Sequence, residues 1–117
     1  MTASPNPTFE IDSHGIGWIT FEDVTRTLNV LTEPVMLRFG ETLDDARSAG
    51  REGRIKAIVI RSGKPNSFIA GADIDQIGSV EDPDLAVKQI RLGQAIFSDV
   101  ASLPVPTVAA IHGGCLG

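Results

Sequence analysis

The alternation of strand-like runs with amphipathic stretches is the feature that most constrains how this chain can fold. Residues 56–60 (KAIVI) and 107–111 (TVAAI) are almost continuously apolar, which is typical of strands covered on both faces. Strand, helix and strand in this order predict β-α-β units, a mostly parallel sheet and therefore the α/β class. The helix is expected at 83–102, with one buried apolar face formed by Ala86, Ile90, Gly93, Phe97 and Val100.

The first half of the chain adds a hairpin and another helix to this pattern. Strand-like residues 8–12 and 16–21 flank turn residues at 13–15, which predicts two antiparallel strands. Thr32 is suited to cap a helix with Pro34 in its first turn, and Gly50 is suited to end it. Residues 1–7 are expected to be a disordered leader, and 8–117 one domain. The predicted buried stripe of this helix is Val35, Phe39, Leu43 and Ala46.

Composition limits which partners and which cellular compartment are expected. The 117 residues carry a net charge of −5 without a basic cluster, which argues against nucleic acid and against an anionic membrane surface. No apolar run approaches the roughly 20 residues that span a bilayer. A single cysteine, Cys115, excludes an internal disulfide, and no residues have metal-ligand spacing. The simplest expectation is a cytoplasmic protein without a metal.

Two glycine-bearing junctions, 69–74 and 112–117, each follow one of the apolar strands. In the first, within SFIAGADIDQI at 67–77, small residues precede acidic ones, which indicates a helix start with uncovered backbone N–H groups. In open α/β sheets, ligands lie at the carboxyl ends of the strands. If the two strands are neighbours, N–H groups from both junctions can converge on one developing oxyanion.

The paired motifs SFIAGADIDQI and TVAAIHGGCLG together resemble the crotonase (enoyl-CoA hydratase/isomerase) superfamily. The resemblance runs from Thr8 onward. Within the superfamily, the chain most strongly resembles the hydratase part at the amino end of multifunctional fatty-acid oxidation α-subunits. It implies a crotonase-like (ClpP/crotonase) spiral of ββα units. It also implies that the chain is a fragment, incomplete at its carboxyl terminus, because the family's domain continues beyond the second motif.

The resemblance also implies the site residues. The backbone N–H of Ala72 corresponds to the first oxyanion-hole donor, and Gly117 aligns with the first glycine of a Gly-Gly-Gly run whose second glycine carries the other donor. The two catalytic glutamates of the family would follow Gly117, so the 117 residues alone are expected to be inactive. The implied acyl-CoA-binding residues are Ala70, Gly71, Ala72, Asp73, Ile74, Asp75 and Gly117, with Leu28, Asn29 and Val30 along the CoA phosphates.

The implied activity is hydration of 2-enoyl-CoA to 3-hydroxyacyl-CoA in fatty-acid β-oxidation. No cofactor is expected in this segment, because coenzyme A belongs to the substrate. NAD is implied only for a 3-hydroxyacyl-CoA dehydrogenase module further along the full-length chain. That chain would form an oligomer or a complex with a thiolase subunit. Hydratase, isomerase, dehalogenase and decarboxylase share the oxyanion hole, so the reaction type depends on the resemblance.

Other interpretations of the same residues stay open. The alternative function is a non-catalytic acyl-CoA-binding or assembly protein on the same fold, which would bind substrate without turning it over. A broken dinucleotide loop and a serine peptidase on the related fold are more remote. Asp73 and Asp75 are also explained as first-turn acids of a helix. His112 is explained as a turn residue bonded to backbone, and Cys115 as a packing residue.

Overall fold

The computed structural model describes residues 5–73 and 81–116. Within them, the sheet order is β1-β2-β3-β4, with β1 antiparallel to β2 and both β2–β3 and β3–β4 parallel. The predicted hairpin and the predominance of parallel pairing are confirmed, and the two strands that carry the glycine-bearing junctions are neighbours. The elements in chain order are β1 (Thr8–Ile11), β2 (Ile16–Phe21), α1 (Glu33–Arg51), β3 (Ala57–Ser62), α2 (Pro83–Ala101) and β4 (Thr107–Ala109).

The β1–β2 hairpin is organised by the carboxylate of Asp12. It accepts hydrogen bonds from Trp18 Nε1 at 2.9 Å, from the Ile16 amide at 3.0 Å and from the His14 amide at 2.8 Å. These bonds favour the ionised form, and the bond from the indole is the largest cause of the lowered pKa of Asp12. The turn therefore depends on a charged aspartate, which makes it sensitive to acid.

Helix α1 begins and packs as the sequence predicts. The Thr32 hydroxyl accepts a hydrogen bond from the Val35 amide, and a proline occupies the first turn. Every residue of the predicted stripe is buried, and Phe39 meets Phe21 of the sheet edge-to-face at 5.1 Å between ring centroids. The main core therefore lies between α1 and one face of the sheet.

Helix α2 packs along part of the predicted face. Ile90 and Phe97, expected in the core, are 47% and 49% exposed, whereas Ile96 is buried. The Ile96 side chain lies beside Gly40 of α1, where a Cβ would meet it at 3.8 Å, an ordinary contact. Ala86, Gly93 and Val100 of the predicted face are half-buried, and Phe97 meets Phe39 of α1 edge-to-face at 5.9 Å between ring centroids. The predicted side of the helix is therefore confirmed, although its most buried residue is Ile96.

The prediction that the apolar strands are covered on both faces is also wrong within the described residues. β3 alternates between buried and more exposed positions, and Val108 of β4 is 57% exposed. On the outer face, the Arg61 guanidinium lies 4.2 Å from the centre of the Trp18 ring and donates a hydrogen bond to Thr20. A cation–π pair therefore occupies positions where a second covering layer was expected.

The prediction of a disordered leader at 1–7 is wrong for its last two residues. Asn6 Oδ1 accepts a hydrogen bond from the Glu22 amide at 2.8 Å. Pro7 is fully buried, and its carbonyl accepts a hydrogen bond from Arg38 Nε on α1. Residues 6 and 7 thus belong to the folded unit, and residues 1–4 lie outside the described part of the chain.

Candidate functional site

The segments that follow the parallel strands pair with one another through backbone hydrogen bonds and form a second, smaller layer. The segment 29–31 follows β2, the segment 66–73 follows β3, and the segment 114–116 follows β4. Parallel bridges join Leu31 to Ala72 and Ser67 to Gly114. The three segments therefore repeat the order of the strands that precede them, and the two predicted junctions lie side by side.

The first half of the middle segment pairs with the last one. The Gly114 amide donates to the Asn66 carbonyl at 3.2 Å, and the Phe68 amide donates to the Gly114 carbonyl at 2.8 Å. One step further, the Leu116 amide donates to the Ile69 carbonyl at 3.1 Å. This pairing occupies the 114–116 side of the middle segment as far as position 69.

The second half of the middle segment pairs with the first one instead. The Ala70 amide donates to the Asn29 carbonyl at 2.8 Å, and the Leu31 amide donates to the Gly71 carbonyl at 2.8 Å. The Asp73 amide then donates to the Leu31 carbonyl at 3.3 Å. From position 70 onward, the described hydrogen bonds of this segment therefore run to the 29–31 side.

The Ala72 amide faces away from the 29–31 segment. Across a planar trans peptide, the carbonyl oxygen and the following N–H point in opposite directions. Since the Gly71 carbonyl is directed at Leu31, the Ala72 N–H points to the other side, where 114–116 lies. Ala72 is exposed, and in the described ranges its N–H donates no hydrogen bond. It is a backbone donor open to a ligand.

Two glycines allow this close approach. Gly71 has a φ of +92°, and Gly113 has a φ of +62°, both in the region that side chains rarely adopt. A Cβ at Gly113 would lie 2.1 Å from the Asn66 carbonyl oxygen. A side chain at this position would therefore separate the second junction from the first.

A cavity of about 420 Å³ opens beside Ala72, between the start of α1 and the exposed side of α2. Its walls are mainly apolar, and they include the α2 side chains that the core leaves uncovered. Glu33, Asp73 and Lys88 add charged groups to the lining. Its lining residues are Leu31, Thr32, Glu33, Met36, Ala72, Asp73, Leu85, Lys88, Gln89, Ile90, Leu92, Gly93, Gln94 and Phe97.

Asn29 has a role that differs from the predicted contact with CoA phosphates. Its side chain is 2% exposed, and its Nδ2 donates to the Phe21 carbonyl, Ser62 Oγ and the Phe68 carbonyl at 2.9, 2.9 and 3.0 Å. Its Oδ1 accepts from the Asp23 amide at 3.0 Å. This side chain is engaged inside the protein, so it does not reach a ligand at the surface. Its neighbours Leu28 and Val30 are exposed and half-buried, respectively.

The loop before Asn29 is held by Lys64. Its Nζ donates hydrogen bonds to the Asp23 and Arg26 carbonyls and so joins these two loop residues. The Asp23 carboxylate accepts hydrogen bonds from the hydroxyl and amide of Thr25, and the hydroxyl bond is the largest cause of its lowered pKa. A charged, internally bonded loop therefore precedes the buried asparagine.

The remaining predicted positions have different outcomes. His112 Nε2 lies 2.7 Å from the Lys64 carbonyl, which confirms the backbone-bonded turn histidine. Cys115 is exposed, so its predicted packing role is wrong. Asp73 is extended and pairs with Leu31, and its role as a first-turn acid stays a prediction. Ile74, Asp75 and Gly117 lie outside the described residues.

Two features are absent from the described residues. No group of three or more His, Cys, Asp or Glu in ranges 5–73 and 81–116 could hold a metal ion. Over the same ranges, neither α1 nor α2 combines the length and the apolar character that crossing a bilayer requires.

Residues 12–117 match the family described as enoyl-CoA hydratase/isomerase, a span that includes both junctions and the Ala72 amide. The chain belongs to the enoyl-CoA hydratase/isomerase family. An enoyl-CoA hydratase from Mycobacterium smegmatis has a similar structure, with a TM-score of 0.82 at 20% identity, over 94% of this chain and 41% of that one. This likeness confirms the crotonase-like α/β fold.

Relatives of higher identity within this family are longer proteins. The chain is 38% identical over 106 residues to the fatty acid oxidation complex subunit alpha of Aliivibrio fischeri, covering 91% of this chain. It is 38% identical over 110 residues to the subunit of the same name from Idiomarina loihiensis, covering 94% of this chain. The chain spans 15% of the length of each of these curated relatives.

Proposed function

We propose that this chain is the N-terminal part of an enoyl-CoA hydratase of fatty-acid β-oxidation, which hydrates 2-enoyl-CoA to 3-hydroxyacyl-CoA. The observation that carries the proposal is the Ala72 amide, which is open to a ligand and faces the side of the 114–116 segment. The family match and the names of the relatives support the same reaction class. A non-catalytic acyl-CoA-binding protein is the alternative that the experiment below separates.

The open amide fits the charge that this reaction develops. Addition of water to the conjugated double bond transfers negative charge to the thioester oxygen. A donor placed about 3 Å from that oxygen stabilises the charge, and loss of one side-chain donor of this kind costs about 2.7–4 kcal/mol in known enzymes. We assign the first donor to Ala72 and the second to the residue that follows Gly117. The glutamates that move protons would also lie beyond Gly117.

The apolar cavity beside Ala72 is suited to the acyl chain. Its volume of about 420 Å³ lies within the range of about 300–1,000 Å³ that is usual for small-molecule sites. Apolar side chains of α1 and α2, including Met36, Leu85 and Phe97, line it. An acyl group entering here would bring its thioester carbonyl to the amide. Residues 70–75 would then lie along the acyl-CoA.

The length of the relatives supports a further part of the proposal. Because the chain spans 15% of proteins named fatty acid oxidation complex subunit alpha, we infer that its full-length form carries additional modules. One would be an NAD-dependent 3-hydroxyacyl-CoA dehydrogenase, which oxidises the product of hydration. The complex would include a thiolase subunit, and its setting would be the cytoplasm.

The proposal is tested by removing the open amide from the full-length polypeptide. Ala72→Pro deletes this N–H, while the Gly71 carbonyl and the Asp73 amide keep their bonds to Leu31. Hydration of crotonyl-CoA, followed by loss of the enoyl-thioester absorbance, is expected to fall by about 10²–10³ in kcat. Ala70→Pro is the control, since it removes an amide that is already bonded to Asn29 and should reduce stability instead.

Each outcome of this test has one meaning. Full activity in a folded Ala72→Pro variant would exclude the Ala72 amide as an oxyanion donor. If the wild-type polypeptide binds crotonyl-CoA, measured by calorimetry, but does not hydrate it, the non-catalytic alternative is correct. If it neither binds nor hydrates crotonyl-CoA, the assignment to acyl-CoA chemistry fails.

A further inference from the structure

We propose that Asn29 is a positioning residue, which fixes the segment that carries the Ala72 amide and so sets where that donor lies. The inference rests on the proposed function and assigns to Asn29 a role other than contact with substrate. It follows from the position of this side chain between the ends of two strands and the middle segment of the second layer.

The Asn29 side chain joins parts of the chain that are far apart in sequence. Its NH₂ group reaches the last residues of β2 and β3, through the Phe21 carbonyl and Ser62 Oγ, and it also reaches the Phe68 carbonyl. Two hydrogens serve three acceptors, so one hydrogen is shared. On the other side, Oδ1 accepts from the Asp23 amide. Both ends of this buried amide group are satisfied.

These partners fix the orientation of the amide group. Carbonyl oxygens of Phe21 and Phe68 can only accept, and the Asp23 N–H can only donate. Nitrogen must therefore face the two carbonyls, and oxygen must face the N–H. No aspartate can replace this arrangement, because a carboxylate would oppose its lone pairs to two carbonyl oxygens. A leucine of similar size would remove the hydrogen bonds of the Asp23 amide and the Phe68 carbonyl, whereas the Phe21 carbonyl would keep its bond from the Gly63 amide.

Backbone bonds extend this connection to the donor. The Asn29 carbonyl accepts from Ala70, and the next residue, Leu31, bonds to Gly71 and Asp73 on either side of Ala72. Asn29 thus holds the middle segment through its side chain at position 68 and through its carbonyl at position 70. Since the direction of the Ala72 N–H is set by the Gly71 carbonyl, movement of 29–31 would redirect the donor.

The test uses the full-length polypeptide with crotonyl-CoA as the substrate. Asn29→Asp keeps the shape and loses both N–H donors, and Asn29→Ala removes the group entirely. We expect kcat to fall by about 10- to 100-fold while KM changes by less than about threefold, because a donor displaced by about 1 Å can cost that much in rate. Leu43→Ala is the matched control, since it removes a fully buried side chain of α1 that has no hydrogen bond to the second layer.

Hydrogen exchange supplies a readout that is independent of activity. In the Asn29 variants the Ala70 and Leu31 amides, which donate the bonds between the segments, should exchange faster. The Ile58 amide, bonded to the Pro106 carbonyl in the main sheet, should keep its rate. In Leu43→Ala, compared at the same loss of thermal stability, the Ala70 and Leu31 amides should not exchange selectively faster than the Ile58 amide.

The possible results separate this inference from the proposed function. Folded Asn29 variants with the kcat of Leu43→Ala would overturn the positioning role. Failure of both Asn29 variants to fold would also overturn it, since the residue would then serve the fold and not the donor. A wild-type polypeptide that does not hydrate crotonyl-CoA would overturn the proposed function, while hydrogen exchange would still decide whether Asn29 holds the segment.

Discussion

Gly113→Ala should separate the two junctions, whereas Gly114→Ala should not. A Cβ at Gly113 would lie 2.1 Å from the Asn66 carbonyl oxygen and 2.5 Å from its carbon, and the backbone there has a φ of +62°. A Cβ at Gly114 would meet only the Ser67 Cβ, at 3.9 Å, which is an ordinary contact. Two adjacent glycines thus give a matched pair with opposite expectations.

The size of the effect follows from three contributions. Alanine with a positive φ costs about 1–2 kcal/mol, and the reduced freedom of its unfolded chain returns about 0.4–1 kcal/mol. The contact then decides the result. Ordinary contact begins at 3.4 Å, so the Asn66 carbonyl must retreat by about 1.3 Å, the difference between 3.4 and 2.1 Å. That movement breaks the bond from the Gly114 amide to the Asn66 carbonyl and strains the bond from the Phe68 amide to the Gly114 carbonyl, each worth about 0.5–1.5 kcal/mol.

We therefore expect Gly113→Ala to lower the local free energy of opening by about 2–3 kcal/mol. Gly114→Ala should stay within about 1 kcal/mol of the wild type. The assay is hydrogen exchange at the Phe68 and Gly114 amides, which resolves local opening even where a long polypeptide does not unfold in two states. Equal protection in the two variants would refute the argument, because it would mean that the close approach at Gly113 does not hold the junctions together.

Three further predictions concern the frame around the site. Leu43→Ala should lower the free energy of unfolding by about 3–5 kcal/mol in urea titrations, and a loss below about 1 kcal/mol would mean that α1 is not tightly packed. Stabilisation by Asp12, whose native pKa is lowered, should be complete above its unfolded pKa of about 3.9 and disappear as the pH falls through the native value. The thermal midpoints of Asp12→Asn and the wild type should therefore converge in acid, and a constant difference would contradict this. Lys64→Met should speed amide exchange at residues 23–26 with a global loss below about 2 kcal/mol, because it removes bonds to Asp23 and Arg26. Unchanged exchange in that loop would show that the lysine does not hold it.

Helix α1 and the hairpin were predictable because their signals are local. Thr32, Pro34 and the apolar stripe lie within one element, and each fixes the structure through residues a few positions away. The most buried residue of α2 could not be predicted in the same way. Its apolar residues surround more than one side of the helix, and Ile96 becomes its most buried residue through packing against α1, a separate element. Periodicity alone does not contain that information.

In the candidate site, too, local features were predictable from the sequence and long-range contacts were not. Small residues at 70–72 indicated an uncovered amide, because the absence of bulk is visible in the sequence. The role of Asn29 was not visible. A lone asparagine in a polar stretch is typical of a loop, and only the fold brings Phe21, Ser62 and Phe68 to it. The sequence signal that could have indicated a buried role for Asn29 is its position three residues before the helix cap Thr32, with two apolar residues between them.

The open amide is a consequence of stagger in the second layer. A middle strand that pairs along its whole length on both sides has every amide bonded. Here the 114–116 segment pairs with positions 66–69, and the 29–31 segment pairs with positions 70–73. Beyond position 69 one side of the middle segment carries no described bond, and Ala72 is the next residue whose amide faces that side. The donor therefore does not need a special side chain. It needs two neighbours that are displaced along the middle segment, each following its own strand, and this explains how a parallel sheet with short following segments can leave a backbone N–H open to a ligand.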